Sequence, residues 1–86
     1  MFLYCSLYDI FIKIMKGNFF YERLGEKVIN QRKKRRLSQE ELSLICDVDR
    51  TYIARIEEGK ANPTIKVIGK ISKGLKLRIS NLLKGV

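Results

Sequence analysis

The chain has 86 residues, which is enough for one small domain with its own hydrophobic core but leaves no room for a second. Lysine and arginine total 18 against 9 aspartates and glutamates, so the formal charge is +9 and the surface attracts polyanions. Nucleic acid is the commonest such partner, although a basic surface that only keeps the domain soluble fits the composition as well. The absence of histidine removes the usual general base and the usual imidazole metal ligand.

The two cysteines, Cys5 and Cys46, stand far apart in the chain and form no CxxC pair. This spacing predicts two reduced thiols in a cytoplasmic protein, and neither a disulfide nor a metal site. Without histidine and with isolated cysteines, no nucleophile–base pair, phosphate-binding loop or metal cluster can be assembled. The sequence therefore predicts no catalytic residue, no cofactor and no enzymatic activity.

The N-terminal stretch MFLYCSLYDIFIKIM is apolar, but Asp9 and Lys13 interrupt it and it is shorter than the ~20 apolar residues that span a bilayer. It lacks the leading positive charge and the small-residue end of a signal peptide. Two interpretations stay open: an amphipathic helix packed on the domain, or translation that starts at Met15. We divide the chain into an N-terminal extension, residues 1–20, and a domain, residues 21–86.

From Tyr21 onward the sequence has the periodicity of a helix. Leu24 and Val28 share one face, with Ile29 beside them, so the first helix is expected to bury that stripe. The basic run at residues 32–36 is typical of a solvated helix end that complements the C-terminal dipole, or of a phosphate-binding segment.

A second helix is predicted to start at Ser38, because Ser38 and Glu41 have the spacing of a capping box. Leu42 and Ile45 are expected to form its apolar face, and Ser43 is small enough to let another helix approach.

A tight turn follows at Asp47 and Val48. A left-handed residue is expected there, and aspartate tolerates that conformation better than most residues. Asp49 is expected to cap a third helix whose Ile53 and Ile56 point towards the core.

Gly59 is expected to end the third helix, with a loop at residues 60–63 and Thr64 as the cap of a fourth helix. The apolar stripes of the fourth and fifth helices are Val67, Ile68, Ile71 and Leu75, then Ile79, Leu82 and Leu83. No segment alternates with period two, so the domain is predicted to be all-α. The second and third helices, joined by a tight turn, have the layout of a helix-turn-helix.

Four short runs occur in an order that resembles the Xre/Cro-type helix-turn-helix family of phage and bacterial repressors. They are residues 38–42 (SQEEL), 49–53 (DRTYI), 56–60 (IEEGK) and 62–64 (NPT). The DRTYI run is most similar to controller proteins of restriction–modification systems. The resemblance extends from about Tyr21 to Leu83 and implies a five-helix, repressor-like DNA-binding domain.

Two positions depart from the family's sequence. Asp47 stands where the turn often has glycine, and Arg78 stands where serine or threonine would normally cap the last helix. The second departure puts the geometry of the last helix in question.

The resemblance implies that Arg50–Glu57 is the recognition helix, with its N-terminal end in the major groove. The guanidinium fork of Arg50 matches O6 and N7 of guanine, and Thr51 could touch a thymine methyl. Generic surface charge is the alternative role for Arg50 and Arg55. The expected base contacts are Arg50, Thr51, Ala54 and Arg55.

Gln39, at the start of the second helix, clamps the DNA backbone in the family and is expected to do so here. Tyr52, Lys60 and Asn62 are further candidates for phosphate contact. For Tyr52 the alternative is packing of the ring, with its hydroxyl in water. In the phage-repressor relatives, an arginine of the first helix pairs with a glutamate of the third, and the matching residues here are Arg32 and Glu57.

One module of this kind contacts only a few base pairs, so specificity normally needs a symmetric dimer on half-sites ~34 Å apart. The expected dimer interface is Leu77, Ile79, Leu82 and Leu83. Burial in the monomer's own core is the alternative for these side chains.

The sequence as a whole predicts a cytoplasmic, DNA-binding transcription regulator that acts as a homodimer on a palindromic operator and controls its own expression. The first alternative is the antitoxin of a toxin–antitoxin pair, which would bind a toxin protein as well as its operator. The second is a basic adaptor at a membrane surface, although no membrane partner is predicted.

Overall fold

The computed structural model describes residues 19–86, and in this part of the chain it contains five α-helices and no strand. The helices are α1 (Phe19–Lys34), α2 (Gln39–Cys46), α3 (Arg50–Glu57), α4 (Ile65–Gly74) and α5 (Ile79–Leu83). The prediction of an all-α, five-helix domain is confirmed. The predictions for residues 1–18, including Cys5, fall outside the described residues, whereas Phe19 and Phe20 already belong to α1.

The α1 and α2 helices are joined through α3, which packs against both of them. The α4 helix packs against α2 and α5, and α5 packs against α1 and α4. Helix α3 therefore makes its main contacts with α1 and α2, and α4 and α5 lie away from it.

The apolar core takes side chains from all five helices. Eight large side chains are almost completely buried: Leu24, Val28, Leu42, Ile53, Ile56, Ile71, Leu75 and Leu82. Burying one such side chain contributes about 1.5–3 kcal/mol, so this cluster is the main source of stability. The stripes predicted for α1, α3 and α4 are confirmed, except that Ile29 and Val67 are only half-buried.

The apolar face predicted for α2 is partly wrong. Ile45 is 55% exposed, whereas Cys46 is 4% exposed and packs in the core with Leu42 and Ser43. The cysteine fits because Gly74 of α4 lies against it, and a β-carbon at that position would collide with its Sγ. Burial raises the pKa of the Cys46 thiol, which is therefore neutral and unreactive at neutral pH.

The assignment of Leu82 to a dimer interface is also wrong. Its side chain is fully buried within the monomer, because α5 turns it inward against α1 and α4. Leu77 and Leu83 are partly buried against the same core. Of the four predicted interface residues, Ile79 is the most exposed, at 38%.

Three of the connections between helices use the same backbone geometry. Arg36, Asp47 and Lys76 are left-handed, with φ of 57°, 58° and 59°. The next residue is apolar in each case, and its N–H donates to a carbonyl of the preceding helix, as in a Schellman motif. The residue after that occupies the N-cap position of the next helix. The left-handed conformation predicted for Asp47 is confirmed. Those of Arg36 and Lys76 were not anticipated, because neither is glycine, asparagine or aspartate.

The predicted helix caps are present. Ser38 Oγ accepts from the Glu41 N–H at 3.0 Å, and Glu41 Oε1 accepts from the Ser38 N–H at 2.8 Å, which completes the capping box. Asp49 and Thr64 cap α3 and α4 with side-chain bonds of 3.0 and 3.2 Å. Arg78 occupies the cap position of α5 without a side-chain bond, yet α5 forms.

A buried ion pair joins α1 to α3. Arg32 Nε donates to Glu57 Oε2 at 2.7 Å and Nη2 donates to Glu57 Oε1 at 3.1 Å, while Nη1 donates to the Leu37 carbonyl at 2.7 Å. The two side chains are 12% and 4% exposed. The glycine at position 25 permits this close approach, because a β-carbon there would collide with the carbonyls of Ile56 and Glu57.

The uncapped end of α5 yields a first prediction. Replacing Arg78 with serine should stabilise the protein by about 0.5–1 kcal/mol, because the hydroxyl can accept one of the free N–H groups of α5. Urea unfolding of Arg78→Ser, with Arg78→Ala as the control for loss of the arginine, measures this gain. Equal midpoints for the two variants would show that the cap has no effect.

The ion pair yields a second prediction. Glu57→Ala should lower the free energy of unfolding by ~3–5 kcal/mol, because it leaves the Arg32 guanidinium buried without its partner. Glu58→Ala is the matched control: its carboxylate is exposed, so its removal should change stability by no more than about 0.5 kcal/mol. Thermal melts that place both variants at the wild-type value would disprove a structural role for Glu57.

Candidate nucleic-acid interface

The outward face of α3 brings together the four side chains predicted to contact bases. Helical spacing of one and four residues places them on one side, opposite the buried Ile53 and Ile56. Three of the four are exposed and Ala54 is half-buried; the set is Arg50, Thr51, Ala54 and Arg55. This face carries two long cations, one hydroxyl and one methyl group, which can meet base edges in a major groove.

The two arginines of this face differ in what they contact. Arg50 is the first residue of α3 and is exposed, and its side chain makes no hydrogen bond or ion pair with any of residues 19–86. Arg55 donates through Nη2 to the Lys60 carbonyl at 3.1 Å, beyond the C-terminal end of the same helix. Arg50 can therefore reach a base without breaking an internal bond, whereas Arg55 already holds the end of its own helix.

Gln39, the residue predicted to clamp a phosphate, is the first residue of α2 and is half-buried. Its Nε2 donates to Glu57 Oε1 at 2.9 Å. The predicted phosphate contact and the buried ion pair are thus joined in one hydrogen-bonded group. This bond was not anticipated from the sequence, because no motif or family resemblance linked these two residues, which are 18 positions apart.

The other candidates for phosphate contact lie on or after α3. The Tyr52 ring is half-buried and packs against the core, in agreement with the alternative stated for it. Lys60 and Asn62 are exposed in the loop that follows α3. The Lys60 ammonium lies 4.0 Å from Glu58, in an exposed pair that contributes little and leaves the lysine available.

The basic run at residues 32–36 divides into paired and unpaired cations. Arg32 is committed to Glu57, and Arg35 donates to the Gln31 carbonyl at 3.0 Å and to Gln31 Oε1 at 2.7 Å. The remaining three are exposed and have no partner among the described residues: Lys33, Lys34 and Arg36. They are the members of this run that a phosphate backbone can reach.

One signal in the sequence would have indicated how closely α1 approaches α3. Gly25 and Arg32 are seven residues apart, two helical turns, and so lie on one face of α1. A small residue on the face that carries the paired arginine is typical of a close helix crossing. Within residues 19–86, no helix is long and apolar enough to cross a membrane, and no group of three potential metal ligands occurs.

Comparison with known proteins agrees with this geometry. A family model described as helix-turn-helix matches residues 28–82. The control protein C.MunI of a Mycoplasma species is 40% identical over 65 residues, covering 74% of this chain and 88% of that protein. The control protein C.BamHI of Bacillus amyloliquefaciens is 45% identical over 60 residues, covering 69% and 74%.

A solved structure shows the same similarity in three dimensions. The restriction–modification controller protein C.AhdI from Aeromonas hydrophila superimposes with a TM-score of 0.71 and is 27% identical, over 72% of this chain and 94% of that one. The family match spans α2, α3 and the turn between them. The chain therefore belongs to the helix-turn-helix family, as a DNA-binding transcription regulator of the Xre type.

Proposed function

We propose that this regulator binds a palindromic operator as a homodimer and controls expression of its own gene, as the controller of a restriction–modification system or a similar gene switch. The observation that carries the proposal is the exposed face of α3, with Arg50 unpaired at the helix end that would enter the major groove. The similarity to control proteins supports the controller role.

Base recognition would come from the first two turns of α3. The Arg50 fork can donate two hydrogen bonds to guanine O6 and N7, a contact worth ~1–3 kcal/mol of discrimination. Thr51 and Ala54 lie beside it and are short enough to meet a thymine methyl. Arg55 would reach a base or a phosphate after releasing the Lys60 carbonyl.

Backbone contacts would fix this helix in the groove. Gln39 lies at the start of α2 and is bonded to Glu57 at the end of α3, and Lys60 and Asn62 follow that same end, so the three can hold phosphates near the C-terminal end of the recognition helix. The hydroxyl of Tyr52 would add a further phosphate contact. Such contacts set the register of the protein without carrying sequence information.

An apolar seam between α4 and α5 supports the homodimer. Ile65 is 66% exposed and Ile79 is 38% exposed, and Gly69 lies between them, with Ile79 Cδ1 3.5 Å from the place of a β-carbon at residue 69. We call these three residues the α4–α5 seam. Its position on the side of the domain away from α3 would leave both recognition helices free in a symmetric pair.

The antitoxin alternative predicts a toxin as a second protein partner. No contact or surface described above favours that partner, whereas the named relatives are control proteins. An operator and a second copy of the chain are therefore the partners that we propose.

Selection of bound sequences from random duplex DNA tests base recognition. The wild-type protein should select a two-fold symmetric motif, and Arg50→Ala should lose one defined base preference in each half-site, corresponding to ~1–3 kcal/mol. Arg78→Ala, which removes an exposed arginine at the start of α5, should leave the base preferences within each half-site unchanged.

Binding that depends on salt but selects no motif, at two salt concentrations, would mean that the positive charge acts without sequence recognition. A motif that is absent from the DNA upstream of the protein's own gene, tested by footprinting, would contradict autoregulation alone.

The α4–α5 seam generates a separate prediction. Ile79→Asp should shift the sedimentation profile from dimer to monomer, because it places a charge in an apolar contact. Leu44→Asp is the matched control, since Leu44 is 76% exposed on α2, outside the seam. A dimer that survives Ile79→Asp and Ile65→Asp but dissociates in Leu44→Asp would move the interface to α2.

A further inference from the structure

We propose that Glu57 is a positioning residue for the DNA contact of Gln39: its carboxylate holds the Gln39 amide in the one orientation that presents an N–H group to a phosphate. This inference rests on the proposed backbone contact of Gln39. It goes further by giving the buried ion pair a role in binding DNA as well as in stability.

The chemistry of the two groups fixes the amide orientation. Gln39 Nε2 lies 2.9 Å from Glu57 Oε1. A carboxylate can accept hydrogen bonds but cannot donate them, so the NH₂ end of Gln39, and never its carbonyl, must face Glu57. One amide N–H is therefore bound, and the second is left as the only side-chain donor of Gln39 for a phosphate oxygen.

Glu57 can hold this orientation because it is itself fixed on two sides. Both of its oxygens accept from Arg32, at 2.7 and 3.1 Å, and its side chain is only 4% exposed. The third bond of Arg32, to the Leu37 carbonyl, holds the turn that leads into α2. The Gln39 amide is thus attached to a rigid group anchored in α1, α3 and the α1–α2 turn.

This arrangement removes two obstacles to the DNA contact. A free glutamine loses rotamer entropy when it binds a phosphate, but here part of that loss has already occurred during folding. A carboxylate near DNA would also repel phosphate, but Arg32 neutralises this one at hydrogen-bond distance. Glu57 can therefore orient the amide without opposing the binding of the anion.

A double-mutant cycle on DNA affinity tests the role. Wild type, Gln39→Met, Glu57→Gln and the double variant are titrated against one fluorescent 20-base-pair duplex of mixed sequence, since a phosphate contact does not need an operator. Gln39→Met should weaken binding roughly tenfold, the expected effect of losing one hydrogen bond to a charged group.

Glu57→Gln should weaken binding severalfold relative to its effect in the Gln39→Met background, where only the change of charge remains. The reason is that an amide at position 57 can donate as well as accept, so Gln39 is free to turn its carbonyl towards the phosphate. Glu58→Gln makes the same change of charge one residue away, without contact to Gln39, and should act equally in both backgrounds. Equal factors for Glu57→Gln in the two backgrounds would reduce Glu57 to a structural residue and overturn the proposal.

A measurement on the free wild-type protein keeps the test decisive if Glu57→Gln does not fold. The side-chain NH₂ protons of Gln39, assigned by their loss in Gln39→Met, should be more widely separated in chemical shift than those of Gln31. Gln31 serves as the internal reference because its oxygen, and not its NH₂ group, is the bonded atom. Similar signals for the two glutamines would overturn the positioning role.

The two proposals fail in different ways. Absence of DNA binding by the wild-type protein would contradict the proposed function, whatever the amide signals show. Binding with additive effects in the cycle would contradict only the role of Glu57.

Discussion

The buried ion pair between Arg32 and Glu57 is the interaction on which the orientation of α3 depends. It joins α1 to the last residue of α3, where Gly25 lets the two helices approach closely. A helix of eight residues is too short to be stable alone, so its direction is set by what it packs against and by how its ends are held. The pair fixes the C-terminal end of α3 and the Asp49 cap fixes the other, so the outward face between them, which we propose meets DNA, is held in one direction.

Local features of this fold followed from the sequence, and features that depend on helix approach did not. The capping box at Ser38 involves residues three apart, so its geometry is determined before any tertiary contact forms. The choice between Ile45 and Cys46 for the core was decided by α4, whose Gly74 leaves room for a thiol. Leu82 was misassigned because apolar character alone does not distinguish a core position from an interface.

The candidate site was predicted from the sequence by family resemblance, but the hydrogen bonds within it could not be predicted. The residues of the α3 face are close together in one helix, so their position on one face followed from spacing alone. The different states of Arg50 and Arg55, one unpaired and one bonded to the Lys60 carbonyl, required the conformation of the loop after α3. The hydrogen bond from Gln39 to Glu57 joins residues 18 positions apart, and it forms because the start of α2 lies against the end of α3.

The distribution of charge opposes the proposed dimer when DNA is absent. Residues 59–86 hold seven lysines and arginines and no acidic residue, and Lys73 follows Gly69 of the α4–α5 seam by one helical turn. Two copies that meet at this seam bring like charges together, which opposes association within the ~8 Å Debye length of physiological salt. Duplex DNA would hold two copies on neighbouring half-sites, so binding raises their effective concentration and offsets the repulsion that opposes dimerisation. A regulator built in this way would assemble most readily on its operator, and its occupancy would rise steeply with its own concentration.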